Sequence, residues 1–126
     1  MAERAEIAII GGTGLYQREG LTDVRALQRQ LRQLKVGSGR DDGVEMGPLV
    51  TREHRDRASG YVDLGVQEGA KLVVDGRGLR LRGLEDGFFI GPCLFDGVEP
   101  QMRLYKEEIF GPVLCVVRVA DLETAT

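Results

Sequence analysis

The run Val113-Leu-Cys-Val-Val-Arg-Val119 constrains this chain most. Apolar residues fill both faces of that segment, so it reads as a strand shielded from water on either side. Strands of that kind belong to parallel sheets whose two faces are covered. A parallel strand also needs a crossover to return, usually a helix. Asp121 offers a cap for one, yet the sequence stops at Thr126 within its first turn. The expected class is therefore α/β, with the crossover cut short.

Upstream, the spacing defines further elements. Ile7 to Ile10 is a continuous apolar run ending at Gly11-Gly12-Thr13-Gly14, which predicts a buried strand entering a glycine turn. Leu27, Leu31 and Leu34 recur at helical spacing, so a helix is expected over 24–36, with Asp23 as cap and Gly37 as stop. Arg25, Arg29, Arg32 and Lys35 occupy its remaining surface as a solvated basic face. Thr51 can cap a second helix over 51–67, which Gly69 ends. Strands are expected at 71–75 and, after the turn Asp75-Gly76-Arg77-Gly78, at 79–82, where Leu-Arg-Leu-Arg alternates. Residues 88–95 are strand-like, but Pro92 interrupts them, leaving two short pieces or a bulged edge strand. A helical turn is expected from Met102 to Glu108.

Composition limits the function classes. A net charge of −3 and a pI near 5.2 lack the basic excess of a nucleic-acid-binding module. No apolar run reaches membrane-spanning length, and acidic residues stand where a signal peptide would be basic. Cys93 and Cys115 lie in apolar runs without metal-ligand spacing, which points to small buried thiols in a reducing, cytoplasmic setting and to no metal site. The single histidine, His54, lies in a charged stretch and reads as a solvated helix residue.

The glycine turn admits two readings. Exposed amides after a strand attract anions, and an ordinary tight turn has the same sequence. The dinucleotide fingerprint fails because Gln17 stands at its third glycine, and no P-loop Gly-Lys-Ser/Thr follows. Residues 6–24, EIAIIGGTGLYQREGLTDV, resemble the amino terminus of the methylthioadenosine/methylthioinosine phosphorylases. That resemblance implies phosphate at Gly12, Thr13 and Gly14. The rest of the chain departs from that family, and none of its purine- and ribose-binding segments is present.

From about Arg25 onward the chain is similar to the aldehyde dehydrogenase superfamily, most of all to the CoA-acylating methylmalonate-semialdehyde dehydrogenases. The residues that carry this are LKVGSGRDDGVEMGPLVTREHRDR (34–57), GYVDLGVQEGAKLVVDGRG (60–78) and GFFIGPCLFDGVEPQMRLYKEEIFGPVLCVVRV (87–119). KEEIFGPV is the most specific of them. The resemblance implies NAD as cofactor, CoA as co-substrate and an aldehyde substrate, in homo-oligomeric enzymes. A carboxylate accepts two hydrogen bonds at once, which suits the paired hydroxyls of a ribose. By the resemblance Glu108 takes that role at the nicotinamide ribose, and Phe110 lines the nicotinamide pocket.

Aldehyde oxidation also needs a thiolate nucleophile and an oxyanion donor. In the family the nucleophilic cysteine and the nucleotide-binding turn lie upstream of the part that Arg25 begins, so no catalytic residue is expected here. Neither Cys93 nor Cys115 replaces that nucleophile, because a thiol packed in an apolar strand ionises poorly. The expected organisation is a phosphorylase-like strand and GGTG turn over 1–24, then an incomplete dehydrogenase catalytic-domain segment over 25–126. This segment should be a parallel-type sheet with flanking helices. The expected function is that of a dehydrogenase fragment inactive alone. The alternatives are a non-catalytic chain that binds an intact dehydrogenase subunit, or a remnant of a phosphorylase phosphate site.

Overall fold

The computed structural model of the chain describes residues 6–11, 24–107, 109 and 111–119. Among the described residues, four strands and three helices follow in the order β1 (Glu6–Gly11), α1 (Val24–Arg32), α2 (Arg52–Gln67), β2 (Lys71–Val74), β3 (Cys93–Asp96), α3 (Arg103–Lys106) and β4 (Val113–Val119). The strands form one sheet in the order β1-β4-β3-β2. Among the described strands β3 and β4 pair in parallel, with Cys93 opposite Val113 and Phe95 opposite Cys115. The β1–β4 and β2–β3 pairs are antiparallel, the latter with an irregular register between Leu72 and Val74. The sheet of this α/β chain is therefore mixed, and its parallel pair includes the doubly apolar strand.

That strand is buried on both faces because helices cover both. Leu114 and Val116 point to one side, where Leu27 and Leu31 of α1 meet them together with Val74 and Leu94. Val113, Cys115 and Val117 point to the other, against Ala58 and Val62 of α2, Leu104 of α3 and Phe95 of β3. Phe95, Leu94, Val62 and Val116 are wholly excluded from water. Full burial of such a side chain contributes about 1.5–3 kcal/mol.

Local chemistry explains where the helices start and stop. Thr51 is extended (φ −135°, ψ 161°), and its hydroxyl accepts from the amide of His54 at 3.0 Å, capping α2 as the sequence implies. Gly69, at φ +95°, ends it in the left-handed conformation a side chain would oppose. The first helix is shorter than the 24–36 expected, ending at Arg32. Residues 35–37 are diverted into a loop: the Lys35 carbonyl accepts from Glu45, Gly37 donates to Met46, and Val36 bridges Met46 in parallel.

Two strand expectations are corrected. Residues 79–82 form no strand but a series of turns, in which Leu79 donates to the Gly76 carbonyl and Leu84 to that of Leu81. The alternation there is one of burial, with Leu79 and Leu81 half-buried and Arg80 and Arg82 exposed. In place of a return hairpin, the backbone of Gly91 crosses that of Gly76, with Gly91 donating to the Gly76 carbonyl at 2.9 Å. The expected strand over 88–95 is confined to Cys93–Asp96, because Pro92 has no amide to donate and the Phe88 carbonyl serves Leu49.

Candidate cofactor site

The sequence points to Glu108 and Phe110 within KEEIFGPV, and the structure shows how that motif's flanks are held. Helix α3 is one turn long and has no side-chain cap of its own. The carboxylate of Glu68, at the end of α2, replaces it by accepting from the amides of Arg103 (2.8 Å) and Leu104 (3.1 Å). A negative group is favoured there because free amides gather at a helix start. Leu104 is buried beneath this cap and fastens the turn to the core.

Glu107 closes the turn. Its amide donates to the Arg103 carbonyl, and its carboxylate is gripped by the Arg103 guanidinium and by the Tyr61 hydroxyl, which donates at 3.3 Å. The Arg103 hydrogen bond holds the Glu107 carboxyl below the usual carboxylate range. Ile109 packs against the core, and Gly111 approaches Ala58 so closely that a Cβ there would lie 3.1 Å from the alanine methyl. The Pro112 carbonyl accepts from the Cys93 amide at 2.8 Å, which locks the turn into the β3–β4 ladder. Residues 107, 109 and 111–112 are thus fixed from three elements. Glu108 and Phe110 themselves lie outside the described residues, as do Gly12, Thr13 and Gly14 of the anion-binding reading.

Both thiols are buried. Cys93 is pushed up to about 11, chiefly by burial, although the Gly76 amide donates to its sulfur at 3.3 Å. Burial alone pushes Cys115 up to about 12. A nucleophilic cysteine needs the opposite, a depressed value and access to solvent. Among the described residues no group of three or more His, Cys, Asp or Glu side chains could hold a metal ion, and no helix is long and apolar enough to cross a membrane.

Two surface hollows were not anticipated from the sequence. A cleft of about 360 Å³ lies between α2 and the turns over 79–90, floored by Leu79, Leu81 and Phe89 and edged by Arg55, Arg80 and Glu85. A shallower one of about 480 Å³ lies beside Tyr61, Leu64 and Arg103, next to the Glu107 cluster. Glu68, Tyr61 and Arg103 also escaped notice. Glu68 acts 35 residues away from its own position, and no local spacing signals such a cap.

The aldehyde dehydrogenase family model matches residues 18–126, so the chain belongs to the aldehyde dehydrogenase family. The match begins upstream of Arg25. Malonate-semialdehyde dehydrogenase from Pseudomonas aeruginosa is 56% identical over 102 residues, which are 81% of this chain and 20% of that protein. The crystal structure of methylmalonate-semialdehyde dehydrogenase from Oceanimonas doudoroffii is 46% identical, with a TM-score of 0.76 over 80% of this chain and 21% of that one. The Mycobacterium tuberculosis aldehyde dehydrogenase complexed with NAD+ is 42% identical, with a TM-score of 0.67 over 73% and 19%. The chain therefore spans about a fifth of the length of the relatives it matches.

Proposed function

We propose that this chain is a segment of an NAD-dependent, CoA-acylating semialdehyde dehydrogenase, acting on malonate or methylmalonate semialdehyde, that does not oxidise aldehyde by itself. The observation that carries this reading is KEEIFGPV, intact within a stretch 56% identical to a malonate-semialdehyde dehydrogenase. Within it Glu108 would accept hydrogen bonds from the nicotinamide ribose hydroxyls, and Phe110 would line the nicotinamide pocket. The chemistry fits, since a carboxylate presents acceptors for both hydroxyls. NAD, when bound, supplies the hydride acceptor. The chain's own contribution is positional: Glu68, Tyr61 and Arg103 hold the turn that ends at Glu107, and the Cys93 amide holds Pro112 on the far side of Glu108 and Phe110. Neither Cys93 nor Cys115 serves as nucleophile, and residues 1–17 precede the family match.

The test is NADH formation by the purified chain with NAD, CoA and either semialdehyde, followed by absorbance. The expected result is no aldehyde-dependent signal above a chain-free control. Turnover that disappears on Cys93→Ala or Cys115→Ala would overturn the assignment of both thiols to the core.

A further inference from the structure

The strand at the edge of the family-matched segment is closed by residues outside that segment. Within 18–126, the sheet is β4-β3-β2, and β4 would be its edge. It is a poor strand to leave open. Val113 through Val117 are all buried, no proline interrupts it, and its one charge, Arg118, is committed to Asp96 through bonds of 3.1 and 2.8 Å. Unpaired apolar edges recruit other strands unless charges, prolines or bulges blunt them.

β1 occupies that edge. Its backbone pairs with β4 along its whole length, from Glu6 opposite Val119 to Gly11 opposite Leu114, without a break in register. The β2–β3 pair, by comparison, slips between Leu72 and Val74. β1 lies outside the family match, which begins at residue 18. Its sequence, Ile7-Ala-Ile-Ile10, is the continuous apolar run suited to a strand covered on both sides. Its direction also sets it apart, since it runs antiparallel to β4 where β3 runs parallel.

We propose that residues 6–11 act as a strand donated in cis, which pairs with the β4 backbone that the family-matched segment alone leaves open and so protects it. The surface is the β4 backbone, the partner it fits is an extended apolar strand, and the occupant is the chain's own leader.

The register gives a direct test in the full chain. Ile10 stands opposite Cys115, and Ile9 opposite Val116. Ile10→Cys refolded from urea in an oxidised/reduced glutathione buffer, which reaches Cys115 before it is buried, should yield a disulfide-linked peptide pair containing positions 10 and 115, and Ile9→Cys refolded in the same way should not. Hydrogen exchange of the β4 amides supplies a second readout. Successive strand amides point to opposite sides, so one of Ile9→Pro and Ile10→Pro must remove a ladder bond. That variant should speed exchange over 114–119 by at least about tenfold relative to the native chain, with the amides of α2 unchanged. If both proline variants unfold throughout, the cysteine pair decides alone. Absence of the 10–115 link in a folded Ile10→Cys chain would overturn the proposal. So would β4 exchange that neither proline changes.

Discussion

Replacing Gly76 with alanine should cost far more than the same change two residues later. An ideal Cβ at Gly76 would lie 2.1 Å from the carbonyl carbon of Gly91, 2.2 Å from its oxygen and 2.6 Å from its Cα. All three are backbone atoms, so no rotamer change relieves the overlap, and the crossing must open by about 1 Å to restore ordinary contact. Overpacking of this kind costs about 1–3 kcal/mol. The Gly91 amide also donates to the Gly76 carbonyl at 2.9 Å, and losing that bond adds about 1 kcal/mol. The total is about 2–4 kcal/mol, or roughly 6–16 °C in Tm for a chain of this size. Gly78 is the internal control: nothing lies within 4 Å of its Cβ position, so Gly78→Ala should stay within about 0.5 kcal/mol of the native chain. The strain should also travel. Gly91 leads through Pro92 to Cys93, whose amide binds the Pro112 carbonyl beside the candidate cofactor motif. Urea unfolding followed by circular dichroism measures the costs, and hydrogen exchange at Cys93 reports the transmission. Equal stability of the Gly76→Ala and Gly78→Ala chains would refute the reasoning.

Other consequences are as definite. Glu68→Ala removes the carboxylate that caps α3 and should cost about 1–2 kcal/mol, with faster exchange at the Arg103 and Leu104 amides in particular. Phe95→Ala empties the centre of the larger core cluster and should cost about 3–5 kcal/mol in denaturant unfolding. The Arg118 hydrogen bond lowers the Asp96 carboxyl, so its contribution is present above the unfolded value of about 3.9 and is lost as pH falls through the lower folded value. Thermal melts should therefore show a drop in stability from pH 5 to pH 2 that Asp96→Asn makes shallower. At pH 8 both thiols should react with iodoacetamide more slowly in the folded chain than in urea, Cys93 by at least about 100-fold and Cys115 by more, as mass spectrometry can count.

What the sequence discloses depends on how local the cause is. Thr51 and Gly69 mark the ends of α2 because a cap acts within one turn of its own residue. The doubly buried β4 shows in its composition, since each of its faces meets a helix. Leu79-Arg80-Leu81-Arg82 misleads because alternating burial arises equally in a strand and in turns lying over a cleft. The Gly76–Gly91 crossing that replaces a hairpin joins residues from separate stretches, and neither stretch indicates it alone. Early termination of α1 has the same origin, because the diversion of Lys35 depends on Glu45 and Met46. For the candidate site, KEEIFGPV is legible as a motif, whereas its supports Glu68 and Tyr61 lie on α2 or at its end and meet it only in the folded chain. The antiparallel docking of β1 on β4 was equally hidden, since an apolar run names no partner.

The central claim, that this segment carries part of a dehydrogenase's NAD site, is tested most directly by exchange into an intact relative. Residues 25–126 would replace the corresponding stretch of the Pseudomonas aeruginosa malonate-semialdehyde dehydrogenase, to which the chain is 56% identical. Steady-state NADH formation would then be measured at varied NAD, with and without Glu108→Gln. The account predicts an active chimera in which Glu108→Gln lowers kcat/KM for NAD by about tenfold or more, as loss of a charged hydrogen bond to the ribose requires. An active chimera whose NAD kinetics are indifferent to Glu108→Gln would contradict it.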